Sequence, residues 1–150
     1  GRQYINNIFH IQEFLMQKAI KPIDYKKLSK AFRVEATELK KLKIYSWDSI
    51  KGLNSQDILK LIQKGCKSSR NLKCLRCIAI FICELDLLQE EASLLLHSGI
   101  PSVEALAKTT PEELTRKTNR LEIILGTNRK SQVSLRTAST WIKNAKKRLL

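Results

Sequence analysis

The chain is poor in the residues that build long loops, because its 150 residues include only 5 glycines and 3 prolines. It also lacks any run of 18 or more apolar residues, and its longest apolar stretch, residues 77–83, is far too short to cross a bilayer. No segment shows the period-two alternation of a half-buried strand. These absences predict an all-α protein without a transmembrane segment.

The usual signals of enzymatic chemistry are missing as well. His10 and His97 are the only histidines, and neither stands in a pattern typical of a catalytic triad or a metal motif. The sequence contains no phosphate-binding loop, dinucleotide fingerprint or nucleophile elbow. Glu112 and Glu113 are explained as first-turn acids of a helix. The prediction is a non-enzymatic protein with no catalytic residue and no cofactor.

Four cysteines leave two alternatives open. Cys74 and Cys77 share a helix face, but a tetrahedral zinc site needs two further ligands, and Cys66 and Cys83 lie far apart along that helix. The alternative is four small apolar side chains in a reducing compartment. We predict no metal and an intracellular, reducing location. The chain begins at Gly1, so a targeting segment removed before this residue would not be visible.

The clearest pattern covers residues 90–114 and predicts three successive helices. Gly99 is placed to end the first helix, since only glycine takes the left-handed C′ conformation without steric cost. Ser102 can cap the second helix and Thr110 the third, with Pro111 at its first position. Three apolar residues are expected to plug the space between these helices: Ile100, Val103 and Leu106.

A weaker copy of this pattern lies 56 positions upstream. It aligns Leu39 with Leu95, Ile44 with Ile100 and Ser46 with Ser102, and it continues to Asn54 opposite Thr110. Each copy is followed by one more predicted helix, at residues 72–85 and 135–149. The sequence therefore predicts an N-terminal helical extension (1–32), with helices over residues 1–20 and after the cap Asp24, then a first repeat (33–85) and a second repeat (86–150).

Positive charge is the strongest compositional signal, with a formal net charge of +14. Two stretches at the ends of the two repeats, one between Asp57 and Glu84 and one after Glu122, contain cations and no acid. This pattern indicates an acidic partner, which is a protein surface, a nucleic acid or an anionic membrane surface. Turns at Gly65 and Gly126 are candidate phosphate or carboxylate sites, and Trp47 is a candidate exposed aromatic anchor. The predicted binding residues are Lys64, Lys67, Arg70, Lys73, Arg76, Arg129, Lys130, Ser131, Arg136, Lys143 and Lys147.

Residues 96–106 (LHSGIPSVEAL) and 110–114 (TPEEL) resemble the helix-hairpin-helix module in the C-terminal domain of the alpha chain of bacterial RNA polymerase. They are closer to an uncharacterised family of small tandem helix-hairpin-helix proteins in cyanobacteria and algal plastids. The similarity covers about residues 35–150. It implies two tandem units, a non-enzymatic binding role, and a setting in the plastid stroma or the cyanobacterial cytoplasm.

Two departures from that resemblance concern the hairpins. Nucleic-acid-binding modules of this type commonly carry a Gly-hydrophobic-Gly hairpin whose amides face a phosphate. Here one hairpin has Pro101, which has no N–H, and the other has no glycine at residues 43–45. We therefore expect a basic adaptor or linker that docks into a larger assembly, such as a light-harvesting complex. The alternative is a protein that contacts the DNA or RNA backbone.

Overall fold

The computed structural model describes residues 20–66, 68–125 and 133–150. The protein is all-α in these ranges, which confirms the predicted fold class, and Pro22 and Ser46 form an isolated antiparallel bridge. None of the described helices combines the length and apolar character that crossing a bilayer requires. After 3₁₀ turns at Tyr25–Lys27 and Lys30–Phe32 come α1 (Arg33–Lys41), α2 (Trp47–Lys51), α3 (Ser55–Gln63), α4 (Ser69–Leu85), α5 (Gln89–His97), α6 (Val103–Ala107), α7 (Pro111–Leu125) and α8 (Leu135–Arg148).

Two segments of the chain form the same hydrogen bonds at positions that differ by 56 residues. Ile44 N donates to Leu39 O, and Ile100 N donates to Leu95 O, each at 3.0 Å. The residue before each isoleucine has a positive φ, which is 59° at Lys43 and 91° at Gly99. We call residues 42–46 the first hairpin and residues 98–102 the second hairpin.

The helix caps that follow the hairpins also correspond. The Ser46 hydroxyl accepts from Ser49 N at 3.2 Å and begins α2, as the Ser102 hydroxyl accepts from Ala105 N at 3.1 Å and begins α6. Side-chain caps satisfy backbone amides at helix starts that have no partner within the helix. Asn54 and Thr110 then cap α3 and α7 in the same way. Gly99, Ser102 and Thr110 therefore have their predicted local roles.

One contiguous core holds the helices together. The short helix α2 packs mainly on α4, and α6 packs mainly on α8, while α4 also contacts α5 and α8. The inward side chains of the short helices are Trp47 and Ile50 in α2, and Val103 and Leu106 in α6, all of them buried. Burying these apolar groups supplies the main driving force for the fold.

Residues 20–25, which we call the arm, lie along the first hairpin. Ile23 N donates to Tyr45 O and Trp47 N donates to Lys21 O, each at 2.8 Å. The predicted helix after Asp24 is two separate 3₁₀ turns, and the Asp24 side chain caps neither of them. The backbone of Asp24 is instead held by Gln89 of α5, so tertiary contacts override the local helix signal. The predicted helix over residues 1–20 falls almost entirely outside the described residues.

Candidate binding surfaces

The solvent-facing side of α8 carries four cations. Ala138, Trp141, Ile142 and Ala145 point into the core, and the apolar spacing of these residues fixes the opposite side toward solvent. Arg136, Lys143, Lys146 and Lys147 lie on that exposed side. Within the described part of the chain, none of these four forms an ion pair. We call these four residues the basic face.

The neighbouring Arg148 differs from the basic face because it has a partner. Its guanidinium lies 3.6 Å from the carboxylate of Glu84, which also lies 3.7 Å from the ammonium of Lys51. The C-terminal end of α8 is thereby tied to α4 and α2. Because these groups are partly exposed, the pairs orient the side chains more than they stabilise the fold.

The cations predicted on α4 are divided between two environments. Arg70 and Lys73, near the start of the helix, are exposed. Arg76 is half-buried, and its guanidinium donates to Leu53 O at 3.0 Å, which ties α4 to the end of α2. Arg76 therefore has a structural contact and is poorly placed to bind a partner.

Carboxylates lie beside the turn at Gly65, one of the two candidate anion sites. Gly65 has a φ of 130°, and a methyl group built on its Cα would lie 3.1–3.3 Å from the carboxyl atoms of Glu38. Burial, and then the charges of Glu35 and Glu38, raise the pKa of the adjacent Cys66 thiol. Glu38 is paired with Lys41 and Glu35 is buried, and Lys64 is exposed nearby.

Four of the predicted binding residues fall in segments that the structure does not describe. Lys67, Arg129, Lys130 and Ser131 lie outside the described residues, as does the turn at Gly126. In the basic stretch after Glu122, the structure describes the chain again from Val133, which precedes α8.

The prediction of an exposed Trp47 is wrong. Trp47 is only 1% exposed, and its indole N–H donates to Gln89 Oε1 at 3.2 Å. The alignment of the repeats contained the correct signal, because it places Trp47 opposite Val103, a residue expected in the core. An aromatic anchor for a partner is therefore not available at this position.

The cysteines are distributed along one helix and the turn before it. Cys66 is buried, and Cys74, Cys77 and Cys83 are half-buried on α4, all as free thiols. Burial, and then the charge of Asp48, raise the pKa of Cys83 to about 11. The Cys83 thiol is therefore protonated at neutral pH. Among the described residues no group of three or more candidate ligands lies close enough to hold a metal ion.

Each hairpin uses the two backbone amides around its positive-φ turn internally. Lys43 N and Ile44 N donate to carbonyls at the end of α1, and Gly99 N and Ile100 N donate to carbonyls at the end of α5. These N–H groups cannot also face a phosphate. The geometry of the hairpins thus argues against phosphate binding there, and the basic face of α8 is the better candidate surface.

Comparison with known protein families finds a match over most of the chain. Residues 29–148 match the family described as "Domain of unknown function (DUF4332)", which covers everything from the second 3₁₀ turn to the last turn of α8. No curated protein and no solved structure matches the chain.

Proposed function

The chain belongs to the DUF4332 family, and we propose that it is a non-enzymatic basic adaptor that docks on acidic surfaces of proteins in a larger assembly. The observation that carries this proposal is the basic face, where four cations share the solvent side of one helix without an internal ion pair in the described ranges. A cationic helix side attached to a rigid core is suited to complementary docking.

A protein partner is favoured over nucleic acid by the geometry of the turns. The hairpin amides bond to helix carbonyls, and carboxylates flank the turn at Gly65. The four hairpin amides that are bonded in this way are not available to position a phosphate. The resemblance to tandem helix-hairpin-helix proteins of cyanobacteria and algal plastids suggests a plastid or cyanobacterial light-harvesting assembly as the setting.

Nucleic acid is the second candidate, because the same basic face could contact a phosphate backbone through side chains alone. Such binding would be insensitive to sequence and steeply dependent on salt. The two candidates therefore differ in a property that is simple to measure.

The test is a charge reversal on the basic face, Lys143→Glu with Lys147→Glu. The matched control is Lys26→Glu with Lys30→Glu, which makes the same charge change at exposed positions in the two 3₁₀ turns. Each tagged protein is produced in cells of its source organism and purified from a nuclease-treated lysate. The proteins that are retained with it are identified by mass spectrometry. We expect acidic proteins to be retained by the wild type and the control, and to be lost from the basic-face variant.

Two results would contradict the adaptor proposal. One is retention that the basic-face variant does not change. The other is retention abolished by nuclease, together with wild-type binding to duplex DNA whose affinity falls steeply with salt, which would support the second candidate.

A further inference from the structure

The arm shows how this fold binds an extended peptide at a hairpin. Along the first hairpin, the arm uses the carbonyl of Tyr45 and the amide of Trp47, and Pro22 pairs with Ser46. Lys21 N also donates to the Asp48 carboxylate at 2.9 Å. This is the addition of a short strand to an exposed edge, in which backbone hydrogen bonds hold the peptide.

The second hairpin has an equivalent edge. The repeat spacing places Pro101, Ser102, Val103 and Glu104 opposite Tyr45, Ser46, Trp47 and Asp48. Within the described residues, neither the Pro101 carbonyl nor the Val103 amide takes part in a backbone hydrogen bond like those of the first hairpin. Pro101 does not prevent such binding, because the arm uses only the carbonyl at this position and proline lacks only the N–H.

A cavity of about 480 Å³ adjoins this edge. It is lined by all four of these residues and, from α4 and the end of α8, by Ile80, Glu84, Arg148 and Leu149. Ile80, Val103 and Leu149 give it an apolar side. On its polar side the Glu84 carboxylate is shared by Arg148 and Lys51, whereas Glu104 is exposed and forms no ion pair within the described residues.

We infer that the edge of residues 100–104 and the adjoining cavity bind an extended segment of a partner protein in which a basic residue, a proline and an aliphatic residue follow one another. The backbone of this segment would pair with Pro101 O and Val103 N. Glu104 would take the role of Asp48, and the apolar wall would receive the aliphatic side chain. The negative charge of Glu104 favours a basic residue in the segment.

The source of the segment is a partner and not a second copy of this chain. The chain's own sequence of this chemistry, Lys21-Pro22-Ile23, is bound at its own first hairpin by two 2.8 Å backbone hydrogen bonds, and Lys21 also pairs with Asp86 at the end of α4. A second copy would have to break these contacts to bind. The site is also separate from the basic face and does not depend on the proposed function.

The probe for the test is a capped synthetic peptide with the sequence of residues 20–25, Ile-Lys-Pro-Ile-Asp-Tyr. It is titrated into the full-length, ¹⁵N-labelled chain and followed by NMR, with affinities from the shift isotherms. We expect the amide signals of Ser102, Val103 and Glu104 to move. Glu104→Lys should weaken binding about tenfold, because it replaces the attracting charge by a repelling one.

Glu112→Lys is the matched control, since Glu112 is an exposed first-turn acid of α7 outside the cavity. It should leave the affinity unchanged, and circular dichroism should show that both variants fold like the wild type. Four results would overturn the inference: no shift at millimolar peptide, shifts confined to residues 44–48, equal binding by Glu104→Lys, or self-association of the chain through this edge in sedimentation experiments.

Discussion

At the scale of single residues, Gln89 connects three parts of the chain. Its Oε1 accepts from Asp24 N at 3.0 Å and from the Trp47 indole at 3.2 Å, and its Nε2 donates to Asp24 O at 3.0 Å. The side chain thus joins the arm, α2 and the start of α5. No sequence pattern indicates this role, because a glutamine at the first position of a helix is compatible with a purely exposed side chain.

We predict that Gln89→Ala lowers the free energy of unfolding by about 1–3 kcal/mol, the cost of leaving partly buried hydrogen-bonding groups without partners. Urea denaturation monitored by Trp fluorescence measures the change. Gln63→Ala is the control, because Gln63 is exposed at the end of α3, and this variant should change stability by less than about 0.5 kcal/mol. Equal losses in both variants would show that the three hydrogen bonds do not stabilise the fold.

At the scale of elements, the two hairpins solve the same backbone problem with different residues. Both need a positive φ before the isoleucine, and the chain places Lys43 in one hairpin and Gly99 in the other. A side chain in this conformation costs roughly 1–2 kcal/mol, whereas glycine adopts it freely. The first hairpin is therefore strained relative to the second.

This asymmetry predicts opposite effects of exchanging the residue types. Gly99→Ala should destabilise the protein by about 1 kcal/mol through backbone strain alone, because no atom lies within 4 Å of the added methyl group. Lys43→Gly should raise the free energy of unfolding by up to about 1 kcal/mol, since relief of strain outweighs the added freedom of the unfolded chain. Thermal and urea denaturation test both variants. Destabilisation by Lys43→Gly would mean that contacts of the Lys43 side chain dominate over backbone strain.

The elements themselves were largely predictable, because their signals are local. Glycine stops, hydroxyl caps and apolar spacing correctly predicted α5, α6 and the start of α7. The helix that ends each repeat, α4 or α8, differs from the predicted range (72–85 or 135–149) by a few terminal residues. The prediction of a helix after Asp24 was wrong for a reason that is not local. The backbone of Asp24 is fixed by Gln89, which lies 65 residues away along the chain.

The placement of the binding residues was less predictable than the helices. Arg70 and Arg136 each occupy the second position of their helices, α4 and α8. At the positions of α4 that correspond to Lys143 and Lys147 of α8, however, the chain has Cys77 and Phe81. The difference follows from packing, because α4 contacts helices on several sides and α8 has one side free. Charge along a sequence therefore does not say which cations reach solvent together.

At the scale of the whole molecule, the excess of positive charge opposes folding. A formal net charge of +14 on 150 residues leaves many cations without internal partners, and their mutual repulsion is released when the chain expands. The basic face concentrates part of this repulsion on one helix. The same arrangement that would attract an acidic partner thus lowers the stability of the free protein.

We therefore predict that salt stabilises the free protein. Raising NaCl from about 0.02 M to about 0.5 M shortens the screening length from roughly 20 Å to below 5 Å, and the Tm should rise by a few degrees, equivalent to about 1 kcal/mol. Differential scanning calorimetry measures the change. The variant Lys143→Glu with Lys147→Glu removes part of the repulsion. Its Tm at low salt should therefore be higher than that of the wild type, and its Tm should rise less when salt is added. If the Tm of both proteins rose equally, the effect would come from general salt solvation and not from the charge on α8.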